Sequence, residues 1–511
     1  MYLLDTRRFF LETEEKNTKV IYWKETAYWI ILGLIIFLAI FIRWRANFNG
    51  KLMPGVNALY YPIQVRSLIE NGHLAFSDLP FLFWLEALIA RLLFLFNLGN
   101  LSDCIILASK GVDSILPTFS AIPVFLLANE WQNNDSKIKW FTLIPSAFSV
   151  FYFSALVMTS DFQKNAVGIV GVYFFAYFLY KSLQSNEWKY YALAGISFIL
   201  VSLTHIGSLG LALSFLLIVT IALLLSGRIK KRIILIGSII VILALIGILG
   251  FLYLFIDNVR IERLFGAIFQ LKLFENNLIS AIINKYPISI SPPDIANIIV
   301  ITAIAIFGLV LIIRKKDSLQ KPKRLIVIGS IVTSLIMSSL IIGQEWFCRL
   351  LMMAYVPASL ILAFLLTELN GRVIRRFVSS FAITLVFISI IIGFVAERPS
   401  SISEESYLEL NQIRQVIDKP DNTLIVARHG LEWWVAWILR TRVAQDKSIS
   451  PDTWAHYDTI LFIEQLAGSF GFGPSGPFGD PFPEVKIPPD AKIIYEGQYF
   501  RLAKVLTPPP L

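Results

Sequence analysis

The sequence contains apolar runs that are too long for the strands of a membrane β-barrel. The residues from Leu235 to Ile256 form one continuous example, whereas a barrel strand crosses lipid in about 9–11 residues. Inside lipid, only helices and closed barrels satisfy the hydrogen bonds of the backbone. Hydrophobic residues make up 56% of the chain, and its mean hydropathy is +0.67. The pattern therefore predicts a mainly α, polytopic helical membrane protein whose first partner is the lipid bilayer.

Several runs are long enough to cross a bilayer. They lie near 27–42, 107–128, 140–158, 166–181, 190–204, 207–226, 233–256, 297–313, 325–342, 350–369 and 377–396. A further apolar run, 81–98, carries Glu86 and Arg91, and we interpret it as a re-entrant or interfacial helix. The sequence thus predicts about eleven spans.

Loop charges set the predicted orientation. The most basic loops, near 228–232, 314–324 and 372–376, are expected in the cytoplasm by the positive-inside rule. The N-terminal segment 1–26 is then cytoplasmic, and the large first loop 43–106 lies outside. We predict a multi-pass protein of the plasma (inner) membrane with a transmembrane domain at 27–396.

The C-terminal part, 397–511, has the pattern of a small extracytoplasmic α/β domain. Strands are predicted at 423–428 and 458–463, a helix with an apolar face at 431–442, and a hairpin at 491–505. The segment 468–489 is rich in Gly and Pro and is expected to be a loop.

Charge and motifs exclude several functions. The net charge is +9, but the basic residues occupy short loops between spans, which is no sign of nucleic-acid binding. The two cysteines, Cys104 and Cys348, are either a single bridge or two unrelated thiols. The sequence has no phosphate-binding glycine loop, dinucleotide motif or serine-nucleophile elbow. His429 and His456 have no His or Cys at ligand spacing, which argues against zinc. The cofactor stays unknown, and a divalent metal stays open without a clear ligand set.

Two polar segments adjoin predicted spans. One carries Asn57, Tyr60, Tyr61, Arg66 and Gly72, followed by the run Pro80-Phe-Leu-Phe-Trp84-Leu. The other contains Asp161 and Lys164, and Cys348-Arg349 precedes a span that contains Pro357. In their order and predicted sidedness, these features resemble the GT-C superfamily of membrane glycosyltransferases. The superfamily includes oligosaccharyltransferases, protein O-mannosyltransferases and aminoarabinose transferases.

The resemblance implies a glycosyltransferase that moves a sugar from a polyprenyl-phosphate donor to an acceptor on the outer face of the membrane. It also implies an acidic residue in the first loop just before the aromatic pair, as a general base or metal ligand. Here that position is Asn57, which cannot take up a proton. Either another carboxylate replaces it, or the activity differs, or the protein is no longer a transferase.

Three carboxylates are candidates for the catalytic acid or base. Asp161 ends a predicted span near the first loop, Glu86 lies within the helical run beside Trp84, and Asp78 precedes that run. Polar groups at membrane depth or span mouths tend to be functional. Their alternatives are structural: a helix cap for Asp161, a loose pair with Arg91 for Glu86, and an ordinary loop residue for Asp78.

Basic and aromatic residues are candidates for donor or substrate binding. An arginine fork suits phosphate, and a cation stabilises a leaving phosphate. Each candidate also has a structural alternative, such as lipid headgroup contact or a hydrogen-bonded helix junction. The predicted binding residues are Arg349, Lys164, His205, Arg66, Tyr60, Tyr61 and Asn57.

A second hypothesis is an inactive relative that acts as a transporter, flippase or assembly partner in cell-envelope glycan synthesis. A transporter should place ionisable groups at the membrane midplane. In this chain they gather at the predicted outer mouths of the spans, which favours chemistry at the surface. The sequence does not specify the sugar or the acceptor.

Overall fold

A computed structural model describes residues 26–132, 140–225, 274–275, 277–280, 291–315, 318–396, 398–444, 456–466, 485 and 487–505. The predicted span 233–256 and most of the predicted loop 468–489 lie outside these residues. The fold confirms the prediction of a mainly helical membrane protein with a small C-terminal α/β domain.

Helices form most of the described chain. They are α1 Thr26–Phe48, α2 Tyr60–Asn71, α3 Phe81–Leu95, α4 Leu101–Ile115, α5 Ala121–Glu130, α6 Leu143–Phe151, α7 Phe153–Val157, α8 Gln163–Ser185, α9 Trp188–Thr204, α10 Ile206–Leu225, α11 Pro292–Arg314, α12 Lys321–Met337, α13 Gln344–Met353, α14 Tyr355–Glu368, α15 Arg372–Val395, α16 Glu404–Ile413 and α17 Leu431–Leu439. Short sequence signals determine where several of these helices begin or end. For example, the Ser291 side chain accepts from the Asp294 N–H in a capping box, with prolines in the first turn of α11.

Eight helical segments among the described residues are long and apolar enough to cross a membrane. They are Thr26–Phe48, Leu101–Glu130, Trp140–Val157, Gln163–Ser185, Ile206–Leu224, Pro292–Arg314, Trp346–Glu368 and Arg372–Val395. The most apolar stretch of Trp346–Glu368 is 89% buried, whereas those of α1 and α15 are 22% buried. Trp346–Glu368 therefore lies at the centre of the bundle, and α1 and α15 present exposed apolar side chains suited to lipid. The number of spans and the orientation of the termini stay predictions.

Helix α3 has 15 residues, which is short for a crossing, and its re-entrant or interfacial placement stays a prediction. Together with α2 it forms the juxtamembrane segment, residues 49–100, between α1 and α4. Apolar side chains of this segment, of the C-terminal helices and of one face of the C-terminal sheet belong to one buried cluster. A separate buried cluster fills the helix bundle.

The C-terminal domain, residues 398–505, is built on a five-stranded sheet. Its strands are β1 Thr423–Val426, β2 Arg442–Ala444, β3 Thr459–Gln465, β4 Lys492–Glu496 and β5 Phe500–Lys504. The order is β2-β1-β3-β5-β4, with β1 parallel to β2 and β3, and β5 antiparallel to β3 and β4. Helix α17 links β1 to β2, as parallel strands require a crossover.

The predicted strands, helix and hairpin of this domain are all present. The predicted helix 431–442 is shorter than expected: it ends at Leu439, and Arg440 adopts a left-handed conformation with φ 59°. Arg442, the last residue of that prediction, therefore starts β2.

Candidate active site

Asp161 lies in the junction between α7 and α8 and is buried. Its Oδ1 accepts hydrogen bonds from the backbone N–H groups of Val56 and Asn57, each at 2.7 Å. The carboxylate therefore joins α8 to the juxtamembrane segment across more than 100 residues of sequence. This placement differs from the exposed helix cap that the sequence left open.

Gly55 allows this close approach. Its φ is +91°, and a Cβ at this position would lie 2.5 Å from Oδ1 of Asp161. A side chain would therefore displace the carboxylate, and only glycine adopts this backbone region at low cost. The Gly55 N–H also donates to the carbonyl of Pro399 at 3.0 Å, so the end of the last predicted span joins the same loop.

A network of buried polar side chains stabilises the junction between α7 and α8. The Asp113 carboxylate accepts from Arg43 Nη2 at 3.0 Å, Asn47 Nδ2 at 2.8 Å and the Ser160 N–H at 2.9 Å. Ser160 has a positive φ of 73°, and its hydroxyl donates to Asn47 Oδ1 at 2.7 Å. The network thus holds Ser160, next to Asp161, in a conformation that is rare for a residue with a side chain.

Arg398 completes the support of the junction. Its guanidinium donates to the backbone carbonyls of Leu156 and Thr159. Burial raises the pKa of Asp161, while the amides of Asn57 and Val56 and the charge of Arg398 oppose that rise. A raised pKa brings a carboxylate closer to the range in which it exchanges protons with a substrate near neutral pH.

A second cluster lies beside the first and contains Tyr60, Asp78 and Lys164. The Lys164 ammonium and the Tyr60 hydroxyl both donate to Oδ2 of Asp78. Gln64 Nε2 donates to the Tyr60 hydroxyl at 2.9 Å, and the Lys164 ammonium lies 5.3 Å from the Tyr60 ring centroid. Tyr60 and Asp78, two predicted site residues of the juxtamembrane segment, therefore contact Lys164 in the first turn of α8.

Tyr61 contacts the Asp161 junction, and Asn57 connects it to the C-terminal domain. The Tyr61 hydroxyl donates to the backbone carbonyl of Asp161 at 3.3 Å, and burial raises the pKa of this hydroxyl. The Asn57 side-chain oxygen accepts from Trp433 Nε1 at 3.1 Å. The Trp433 ring lies edge-on to Tyr60, with centroids 5.0 Å apart.

His205 caps α10. Its Nδ1 accepts the N–H of Ser208 at 3.3 Å, which is the hydrogen bond of an N-cap residue to the third helical position. Burial lowers the pKa of His205 to about 3, and the charges of Lys164 and Arg349 lower it further against the opposite effect of Asp78. The imidazole is therefore neutral at physiological pH and lies within the electrostatic field of the predicted donor-binding residues.

Arg349 lies on α13, and its side chain is exposed. Within the described part of the chain it forms no hydrogen bond or ion pair. It lies close enough to His205 for its positive charge to lower the pKa of the imidazole. An uncommitted guanidinium there is suited to bind a phosphate.

Glu86 is fully buried on α3. Neither carboxylate oxygen has a hydrogen-bond partner among the described residues, so the pair with Arg91 that the sequence allowed is not formed. Burial raises the pKa of Glu86, the charge of Asp113 raises it further, and the nearby Ser109 hydroxyl opposes this. Its role stays a prediction, as does that of Asp78.

Arg66 lies apart from the cluster around Tyr60. Its guanidinium donates to the carbonyls of Trp437 at 2.7 Å and Ala436 at 2.9 Å and lies 4.5 Å from the Trp437 ring centroid. Its pKa is lowered to about 10 by burial and by the positive charge of Arg440. The structure thus places Arg66 at the junction with α17.

Among the described residues, no group of three or more His, Cys, Asp or Glu side chains converges as ligands for a metal ion. The residues around Asp161 therefore do not fit a metal site of that kind. Neither Cys104 nor Cys348 forms a disulfide bond, so the bridge that the sequence left open is absent.

Several residues at the site were missed by sequence reasoning. The dipeptide Pro54-Gly55 is a turn signal and could have indicated Gly55. Trp433 lies within the predicted helix 431–442, but nothing in the sequence linked it to Asn57 or linked Arg398 to Asp161. Their contacts depend on the tertiary arrangement.

The solved structures that resemble this chain include two membrane proteins. The Archaeoglobus fulgidus oligosaccharyltransferase, in complex with zinc and sulfate, matches with a TM-score of 0.53 and 13% identity over 84% of this chain and 67% of its own. ArnT from Cupriavidus metallidurans, bound to undecaprenyl phosphate, matches with a TM-score of 0.50 and 12% identity over 94% of this chain and 98% of its own. The chain has the GT-C fold. No protein-family model and no curated protein matches the sequence.

The match to ArnT extends over almost the whole length of both proteins. The GT-C fold of this chain therefore includes both the helix bundle and the C-terminal domain. Identities of 12–13% do not assign roles to individual residues, which have to be argued from the site itself.

Proposed function

We propose that this GT-C-fold protein is a glycosyltransferase that moves a sugar from a polyprenyl-phosphate donor to an acceptor at the outer face of the membrane. The observation that carries the proposal is the buried Asp161 carboxylate, whose Oδ1 is held by two backbone amides. Its Oδ2 forms no hydrogen bond with the described residues and is left for a substrate. The solved ArnT structure contains undecaprenyl phosphate, which supports this class of donor.

In the proposed reaction, the acceptor hydroxyl gives its proton to Asp161. The acceptor oxygen forms a bond to C1 of the sugar, and the bond between C1 and the phosphate oxygen breaks. Polyprenyl phosphate leaves with the electron pair of that bond. Arg349 stabilises the negative charge on the leaving phosphate, because a positioned cation is most effective where charge develops.

Lys164 was predicted to bind the donor phosphate, but its contacts do not fit a residue with that role alone. Its ammonium is paired with Asp78, so its charge is partly neutralised before any donor binds. We assign Lys164 to hold Asp78 and Tyr60 against α8, with a secondary electrostatic effect on the donor. Tyr60, Tyr61 and Asn57 then form the wall beside the sugar.

The proposal is tested by incubating purified full-length protein with polyprenyl-phosphate sugars and measuring the release of free polyprenyl phosphate. This readout does not require the acceptor to be identified beforehand if a crude envelope extract supplies it. We expect release by the wild-type protein and a loss of about tenfold or more for Arg349→Gln. Absence of release with every donor tested would contradict a transferase.

The second candidate function is a non-catalytic partner that keeps the architecture. Asn57 favours it, because its side-chain oxygen is used to hold Trp433 and cannot act as a base. The variant Asn57→Asp keeps an oxygen that can accept from Trp433 and restores the acid. Release that appears only in Asn57→Asp would identify the natural protein as inactive, whereas activity in the wild type would exclude that candidate.

A further inference from the structure

A cavity of about 280 Å³ lies between the juxtamembrane segment and the C-terminal domain. The second half of α2 and the following loop form one wall, including Arg66, Glu70 and Phe76. The opposite wall contains the tripeptide Arg440-Thr441-Arg442, which connects α17 to β2. The volume is at the lower end for binding sites of small molecules, and it suits a ligand of monosaccharide size.

The lining of this cavity carries an excess of positive charge. Three arginines face two carboxylates, Glu70 and Asp421. Arg440 Nη2 is 3.5 Å from Glu70 Oε1, and Arg442 Nη1 donates to the Ala75 carbonyl at 3.0 Å. A guanidinium has five N–H donors, so both side chains keep donors for a further acceptor.

Thr441 gives independent evidence of a missing partner. The residue is 7% exposed, and its Oγ1 forms no hydrogen bond with the described residues. A buried hydroxyl without a partner is unfavourable and calls for an explanation. Thr441 lines the cavity between two arginines, and its Oγ1 is shielded from solvent, so a ligand in the cavity supplies that partner once the side chain turns toward it.

We propose that this cavity binds a sugar that carries a phosphate or carboxylate group, with Arg440 and Arg442 contacting the anion and the Thr441 hydroxyl contacting a sugar oxygen. Charge-assisted hydrogen bonds from arginine are well suited to either anion. The Phe76 ring supplies an apolar wall for the sugar face. It also packs on Tyr60, with ring centroids 6.1 Å apart, and separates the cavity from the candidate active site.

This inference does not rest on the proposed transfer reaction, because binding is measured without turnover. Burial lowers the pKa of Arg66, and the charge of Arg440 lowers it further, which agrees with an incompletely neutralised cluster of arginines. An anion in the cavity would relieve this repulsion. Failure of the transferase proposal would therefore leave the binding experiment interpretable.

The experiment measures the shift in Tm of purified full-length protein in detergent with glucose 6-phosphate, glucuronate, inorganic phosphate or neutral glucose at millimolar concentration. A ligand that binds the folded state raises Tm. We expect a rise with one or both anionic sugars and none with glucose. The two anionic sugars distinguish a phosphate from a carboxylate ligand.

Two variants and one control locate the binding. Arg440→Gly removes a guanidinium at a position with φ 59°, where glycine is unstrained, so the fold is retained. Thr441→Val removes only the hydroxyl. Both should weaken binding about tenfold or more, while Lys492→Ala, an exposed charge on the edge strand β4, should leave it unchanged. The proposal is overturned if neither anionic sugar raises Tm, if inorganic phosphate or glucose does so equally well, or if Arg440→Gly binds like the wild type.

Discussion

The two carboxylate oxygens of Asp161 have different environments. Oδ1 is fixed by the amides of Val56 and Asn57, whereas Oδ2 is not engaged by the described residues. One oxygen thus orients the group and the other can receive a proton. Burial raises the pKa of the carboxyl despite the two amides, which makes it a stronger base than an exposed aspartate.

The raised pKa of Asp161 predicts that the rate of sugar transfer falls at acidic pH. Asp161 acts as a base only when ionised, so the rate should fall as pH decreases through its pKa in the folded protein. Because that pKa is raised, the fall should be centred above the ordinary aspartate value of about 3.9. Initial rates of polyprenyl phosphate release across the acidic range test this, and a rate that stays constant to below that value would contradict it.

His205 is predicted to act through its position as an N-cap. Its pKa of about 3 leaves it neutral, and Nδ1 already accepts from Ser208. Replacement by Asn, which caps helices well, should preserve activity and stability, whereas His205→Ala should cost about 1 kcal/mol of stability. Thermal unfolding and transfer assays on both variants provide the measurement. Loss of transfer in a stably folded His205→Asn protein would instead indicate a chemical role for the imidazole.

At the scale of elements, the candidate site forms where separate chain segments contact one another at the α7–α8 junction. The loop before α2 supplies Gly55 and the amides that bind Asp161, and Arg398 after α15 holds the carbonyls of the junction. The loop and the segment after α15 also pair directly through a bridge between Gly55 and Ser400. The geometry of Asp161 therefore depends on three separate parts of the chain.

Gly55→Ala should disrupt this geometry. The added Cβ would clash with Asp161 and place alanine at a φ of +91°, so we expect a large loss of transfer and a stability loss of about 1–3 kcal/mol. Gly50→Ala is the matched control, because a Cβ there meets no atom within 4 Å. Equal activity of the two variants would show that the close approach of Gly55 is not required.

The sequence predicted the helices and strands more reliably than the contacts between them. Apolar length marked Arg372–Val395, and alternation with a Gly break marked the hairpin of β4 and β5, because those signals are local. The three-residue strand β2 was missed, since its neighbours and not its composition create it. Likewise, the order of polar residues indicated Asp161, Lys164 and Tyr60, but the partners Asp113 and Arg398 are defined by tertiary packing alone.

At the scale of the whole molecule, the C-terminal domain packs on the juxtamembrane segment. Their apolar side chains share one buried cluster, and Arg66 binds the last carbonyls of α17. Trp433 of α17 reaches Asn57 and Tyr60 at the candidate site. Arg66 was predicted to bind donor or substrate, and its contacts with α17 were not predictable because the sequence does not show that α17 ends beside α2.

Arg66→Ala should loosen this packing. The variant loses two hydrogen bonds from a charged group and the contact with Trp437, so we expect faster limited proteolysis of residues 398–505 and a stability loss of about 2 kcal/mol or more. Arg91→Ala, which removes an exposed arginine from α3, is the control. The same proteolysis rate in both variants would contradict an anchoring role for Arg66.

The central claim is that Asp161 is the base of a sugar transfer, and Asp161→Asn tests it most directly. Asparagine keeps the oxygen that accepts from Val56 and Asn57 but cannot accept a proton at neutral pH. In single-turnover assays with a polyprenyl-phosphate sugar, we expect a rate loss of about 100-fold or more at unchanged Tm, while the exposed control Asp103→Asn keeps the wild-type rate. Transfer at the wild-type rate by Asp161→Asn would contradict the account.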